Sequence, residues 1–160
     1  MAQPATQKKI MVYPRQTSQL SPPSPQAARE VRRNSPVRQA RTCYHHLAGV
    51  AGVTLMEAML QQGWLEVGEE AKRRTHFRLT LSGHHALSNR GVSLSAEKSS
   101  RRMYAYGCLD WTERCFHLGG ALAASILDAL LEAGVVQRQA GNRVVTLLEP
   151  LDTWIDSDAG

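Results

Sequence analysis

Several features that would narrow the reading are missing from this 160-residue chain. Met1 to Tyr13 has no apolar core of the kind a secretory leader needs, so no export signal is read. The longest apolar stretches are interrupted by Gly, Glu or Asp and fall well short of the ~18 residues of a membrane-spanning helix. Only three cysteines occur, Cys43, Cys108 and Cys115. An odd count without export features argues against a disulfide framework and for reduced thiols. Aromatic residues make up 6% of the chain, yet the 42% apolar content is enough for a core. Catalytic signatures are absent: there is no Gly-x-Ser-x-Gly, no phosphate loop and no His-Glu-x-x-His. Asp110 and Glu113, beside Trp111, have the spacing of an acidic pair in the first turn of a helix, where the dipole favours them. We therefore expect a soluble cytoplasmic protein with no membrane partner, and not an enzyme.

Proline is scarce after residue 40, where only Pro150 remains of seven. Residues 1–40 hold the other six, with many Gln and Ser, and this stretch reads as a disordered basic tail. Ala27 to Arg33 is the part of it able to form a helical turn. The tail carries seven Lys and Arg against Glu30 alone, whereas residues 41–160 carry twelve basic and thirteen acidic side chains. The net charge of +5 and the pI of about 9.4 thus belong to the tail. The body has no overall attraction for phosphate.

What is present is an internal repeat. His46-Leu47-Ala48-Gly49 and Leu55 to Leu65 recur as His117-Leu118-Gly119-Gly120 and Ile126 to Val136, at a constant offset of 71 residues without a gap. Identical pairs are His46/His117, Leu47/Leu118, Gly49/Gly120, Ala58/Ala129, Leu60/Leu131 and Gly63/Gly134. In the first copy the pattern predicts a short helix over 43–49. Thr54 is expected to cap a helix over 55–62 in a capping box with Glu57, and Gly63 to end it at the left-handed C′ position. Trp64 to Val67 and His76 to Thr80 form a hairpin around a polar tip at 68–74, and a further helix starts at Leu81. In the second copy Ser125 caps 126–132, Gly134 ends it, and 135–138 and 143–147 pair around Ala140-Gly141-Asn142. Pro150 opens a last helix over 151–155, and 94–102 is read as helical. The fold class expected is mainly α with small β-hairpins (α+β), as two tandem winged-helix-like repeats. Residues 41–106 form the first unit with its connecting helix and 107–160 the second. A half of about 60 residues is marginal alone, so the halves should pack on each other.

Two strings add a resemblance. Ala40-Arg41-Thr42-Cys43-Tyr44-His45-His46-Leu47-Ala48-Gly49 and Cys108-Leu109-Asp110-Trp111-Thr112-Glu113-Arg114, with Leu79-Thr80-Leu81-Ser82-Gly83 between them, resemble the C-terminal region of ArsR-type winged-helix transcriptional regulators of bacteria. Members of that group carry CYDHLAG-like and CLDWSER-like strings around an LTxxG string. The likeness covers roughly residues 38–155, and His45 stands where relatives carry an acid. It implies a transcriptional regulator in which this region serves dimerisation, effector response or auxiliary contact with double-stranded DNA. The group's DNA-reading winged helix and its thiol-rich metal motif lie N-terminal to this region, and residues 1–40 are too short and proline-rich to encode them. A protein-interaction module without DNA binding is the alternative. The partner would be a second copy, in a homodimer, or a full-length paralogue.

Candidate site residues fall into two sets. Lys72, Arg73 and Arg74 at the first hairpin tip, with Arg78 after them, could lie along a phosphate backbone; Glu69 and Glu70 just before them cancel much of that field. The helices 55–62 and 126–132 offer no Arg or Lys for a guanine edge, which counts against direct readout. Cys43, His46, Cys108 and His117, with Cys115 and His45 nearby, could supply a thiolate–imidazole metal or effector site. There is no CxxC pair, and buried cysteines usually act as small hydrophobes, so the expectation is a structural role and no cofactor. The adjacent His84 and His85 read as surface residues.

Overall fold

In the computed structural model of the chain, residues 21–71, 74–94 and 103–157 are described. Within the stretch expected to be a disordered tail, Pro25–Arg33 and Pro36–Gln39 are helical, which corrects that expectation for these residues. Helices α1 (Pro25–Arg33) and α2 (Pro36–Gln39) each begin with proline after a serine cap. Ser24 Oγ accepts from Ala27 N–H at 3.1 Å, and Ser35 Oγ accepts from Arg38 N–H at 3.2 Å. Proline at the first helical position gives up an N–H that would have no partner there, so here proline starts helices. Residues 1–20 lie outside the described residues.

The element order after α2 is strand, strand, helix, strand, strand, helix, and it occurs twice. The first series is β1 (Arg41–Cys43), β2 (His46–Ala48), α3 (Gly49–Gln61), β3 (Leu65–Ala71), β4 (Arg74–Leu79) and α4 (Leu81–Asn89). The second is β5 (Tyr106–Leu109), β6 (Phe116–Gly119), α5 (Ala121–Glu132), β7 (Val136–Arg138), β8 (Val145–Leu147) and α6 (Leu151–Asp156). The chain is thus of mixed α and β structure with small antiparallel sheets. No helix among the described residues is long and apolar enough to cross a membrane.

Three local expectations fail, for identifiable reasons. The helix expected over 43–49 is the β1–β2 hairpin, turned by Tyr44 at φ 55 and His45. Each half therefore has one helix ahead of its β3–β4 or β7–β8 hairpin, where a winged-helix plan has more. Secondly, α3 and α5 start well before Thr54 and Ser125, so those residues sit inside helices and cap nothing. Their true starts are Gly49 (φ +77) and Gly120 (φ +100), and their amides find partners far away in sequence. Gly49 N–H donates to Asp110, while Ala121 and Leu122 donate to the carbonyls of Met103 and Tyr104. Thirdly, Asp110 to Cys115 forms a loop between β5 and β6, not the first turn of a helix. The helical segment read over 94–102 lies almost wholly outside the described residues.

Helix ends follow the expectation. Gly63 (φ +71) and Gly134 (φ +70) occupy C′. Trp64 N–H reaches Met59 O and Val135 N–H reaches Leu130 O, the six-to-one bond of a Schellman turn.

The two series exchange partners. β4 of the first pairs with β5 of the second, giving the four-stranded sheet β3-β4-β5-β6. In return, β1 of the first is bridged to the second through Arg41 and Val144, with Thr42 N–H donating to Arg143 O and Val145 N–H to Ala40 O. The boundary drawn at residue 106 therefore falls at the edge of a shared sheet. One apolar core runs through both, from Leu47, Leu55, Met59 and Trp64 to Leu118, Ile126, Leu130 and Trp154. The β1–β2 and β5–β6 hairpins meet face to face in the middle of this arrangement, which is what places the site.

Candidate functional site

On each central hairpin a cysteine and a histidine stand directly opposite. Cys43 pairs with His46 across β1–β2, and Cys108 with His117 across β5–β6. Opposed residues in an antiparallel pair project to the same face with Cβ atoms about 5 Å apart. Facing hairpins then bring two such pairs together. The two Sγ atoms and one ring nitrogen each of His46 and His117 all lie within 4.8 Å of one another. The imidazoles approach through Nε2 of each, 3.1 Å apart, with ring centroids at 5.0 Å and planes tilted by 43°. Both histidines are buried, and both cysteines are half-buried.

Below His117 lies a charged network. Asp110, which is 0% exposed, accepts from His117 Nδ1 at 2.9 Å and from Gly49 N–H at 2.7 Å on Oδ2. Its Oδ1 accepts from Arg41 Nη2 at 2.7 Å, from Thr112 N–H and Oγ1, and from Glu113 N–H. Arg41 is buried too, and donates to Val37 O and Thr112 Oγ1 while its guanidinium covers the Trp111 ring at 4.6 Å. Every hydrogen-bonding face of the carboxylate is thus used, which is what an ionised group needs in order to be buried.

Burial pushes the Asp110 carboxyl up, but the His117 hydrogen bond, the Arg41 charge and the Gly49 amide outweigh it and hold the group well below the carboxylate range. For His117 burial pulls the ring down, and its bonds to Asp110 and Cys43 more than offset this, so it titrates above the ordinary histidine value. Hydrogen bonds from Cys108, His117 and His46 lower the Cys43 thiol far below its usual range despite burial. Sharing with Cys43, and then burial, raises the Cys108 thiol. Chemically, two cysteine sulfurs beside two imidazoles are a set able to ligate a soft or borderline metal ion. Because Nδ1 of His117 is committed to Asp110, Nε2 is the nitrogen left to face the cluster.

The structure brings together four of the residues singled out in the sequence, Cys43, His46, Cys108 and His117. Cys115, the cysteine nearest His117 in sequence, is not in the cluster. Two residues separate Cys43 from His46 and eight separate Cys108 from His117, because the second hairpin carries the Asp110–Cys115 loop. The gapless offset could not show that insertion. Asp110, Arg41 and Thr112 were not read as site residues; all three stand in the two strings of the resemblance, but nothing in their spacing pairs Arg41 with Asp110.

Lys72 and Arg73 lie outside the described residues. Arg74 covers the Tyr106 ring at 4.7 Å, and Arg78, opposite Glu66, is ion-paired with it at 2.9 Å. Arg38 is tied to Glu113 at 3.1 Å. His84 and His85 are exposed on α4.

Comparison with known proteins gives one clear relationship. Over 110 residues, 69% of this chain, the sequence is 34% identical to an uncharacterized HTH-type transcriptional regulator, YdfF, of Bacillus subtilis. The chain spans about half that relative, 46% of its length. No family model matches, and no solved structure matches.

Proposed function

We propose that this chain acts in transcription regulation as the effector-responsive part of an ArsR-like regulator. The observation that carries this is the identity with a protein named as a transcriptional regulator over two thirds of the chain, together with the likeness of both strings to ArsR-type regulators. Of the three contributions that the likeness implies, effector response has the most physical support. The Cys–His cluster and the Asp110 network lie where the two halves meet, so an event there bears on how the hairpins and α3 sit together. Auxiliary DNA contact has less support, since Arg74, Arg78, Arg38 and Arg41 are already engaged within the fold and the body is nearly neutral. The winged-helix reading rests on the hairpin β3–β4 and the helix α4 that follows it.

Deleting the gene in its host and restoring it as wild type or as the His117→Ala variant tests this, with transcript levels as the readout. A defined transcript set should change on deletion, return with the wild type and lose its regulation in the variant. No change on deletion overturns the regulator reading. The near-neutral body also favours a second reading, an interaction module that pairs with itself or with a full-length paralogue. Fluorescence anisotropy on random duplex DNA separates the two. DNA contact predicts affinity that falls steeply with salt and a slope reduced by about 1 for each lost phosphate contact in Arg74→Ala and Arg78→Ala. Absence of binding at low salt leaves the interaction module.

A further inference from the structure

We propose that Cys43, His46, Cys108 and His117 bind one zinc-class divalent cation in a closed tetrahedral Cys2His2 site that clamps the two hairpins together. Its regulatory meaning rests on the reading above, of which it names the effector; the binding itself rests on geometry.

The donor set suits that ion. Zinc takes sulfur at about 2.3 Å and imidazole nitrogen at about 2.0–2.1 Å, so the edges of its tetrahedron run from about 3.3 to 3.8 Å. The Nε2–Nε2 separation of 3.1 Å is already close to the shorter edge, and all four donor atoms fit inside 4.8 Å. Seating the ion requires the longest donor separation to close by up to about 1 Å, shared between its two side chains. Two thiolates with two imidazoles select zinc, cobalt(II) or cadmium over magnesium and calcium, which require oxygen donors.

The supports are also in place. The carboxylate of Asp110 orients His117 through Nδ1 and is itself held by Arg41, Thr112 and Gly49. Carboxylate–histidine pairs of this kind fix the ring and raise its basicity in metal sites. Both imidazoles are buried and both cysteines are half-buried, so the cysteines are the members of the set that keep some exposure to solvent. Four protein donors leave no open position, which fits a conformational clamp and not hydrolytic chemistry. Since β1–β2 and β5–β6 belong to different halves, coordination would cross-link residues more than 60 apart in sequence. The apolar cavity lined by Leu47, Leu55, Met59, Leu118 and Ile126 offers about 10 Å³, roughly one water, and so does not itself hold a small organic effector.

The test uses the full chain, purified reduced and metal-free, titrated with cobalt(II) and then zinc(II). The expected result is one cobalt per chain, with the strong visible bands of tetrahedral cobalt and a near-ultraviolet thiolate charge-transfer band, both erased by zinc. Cys43→Ser and Cys108→Ser should abolish the bands and Cys115→Ser should keep them. Asp110→Asn should weaken affinity by about 10- to 100-fold. A measurement on the wild type avoids reliance on variants that fold poorly: zinc should slow alkylation of Cys43 and Cys108, but not of Cys115, as mapped by mass spectrometry. No uptake by the reduced chain, uptake that survives both serine variants, or protection of Cys115 instead overturns the site. A chain that binds no metal yet regulates transcripts overturns this inference and leaves the regulator reading; stoichiometric tetrahedral binding without any transcript response does the reverse.

Discussion

At the scale of single residues, Asp110 concentrates the most interactions. Replacing it with Asn keeps the shape but leaves Arg41 buried without a counter-charge, and Asn cannot accept on both of its terminal atoms. Breaking a buried pair from one side costs about 3–5 kcal/mol, so Asp110→Asn should lower the urea-unfolding free energy by that order at neutral pH. Folding depresses the Asp110 pKa from its ordinary 3.8. Its contribution is therefore complete above that value and is lost as pH falls below it towards the folded value. The groups that face it are Arg41 and His117. An acid titration of stability should show a shallower fall below pH 3.8 in the variant. Gly52 makes the opposite point, about space. A Cβ there would lie 2.4 Å from Leu47 O and 3.3 Å from the His117 Cβ. Alanine improves helix propensity by roughly 0.5–1 kcal/mol, yet overpacking costs about 1–3 kcal/mol. Gly52→Ala should therefore melt lower, and it should also disturb the Cys–His cluster through the displaced His117.

Among the elements, α4 shows how a local signal and a tertiary one combine. Thr80 Oγ1 accepts from Gly83 N–H at 3.0 Å and donates to Gly63 O at 2.6 Å, so one side chain caps α4 and ties it to the end of α3. Loss of such a cap costs about 1–2 kcal/mol, and Thr80→Ala should show this in thermal unfolding followed by circular dichroism. The last helix is held by Arg90, whose Nε and Nη2 donate to Trp154 O and Ile155 O at 2.8 and 2.7 Å. Its guanidinium also covers Trp64 and Trp154. Lysine reproduces neither the fork nor the stacking. Arg90→Lys should expose α6 to earlier amide hydrogen exchange while sparing α3 and α5.

For the molecule as a whole, the exchange of strands between halves has a consequence for cooperativity. β4 pairs with β5, β1 is bridged through Val144, and one core includes side chains from both halves. A half separated from the other would expose the faces it now buries. Urea unfolding should thus give a single transition, coincident by tryptophan fluorescence and far-ultraviolet circular dichroism. Two separated transitions would show that the halves are stable on their own.

What the sequence alone determined is what lies within reach of local physics. The hairpins at 64–80 and 135–147, the left-handed glycines after α3 and α5, and the helix that follows Pro150 each rest on alternation, φ > 0 or proline chemistry over a few residues. The four cluster residues were also legible, as two Cys/His groups in a repeated context. Only the tertiary structure decided that Cys108, and not Cys115, is the partner of His117, because strand register counts residues across a turn and an inserted loop leaves no mark in a gapless alignment. It also moved the starts of α3 and α5 away from Thr54 and Ser125: their first amides are satisfied by a carboxylate 61 residues away and by carbonyls of another strand's approach. Those bonds join groups that no local pattern places together, and the buried charge of Asp110 is stable only once Arg41, Gly49 and His117 have been brought around it.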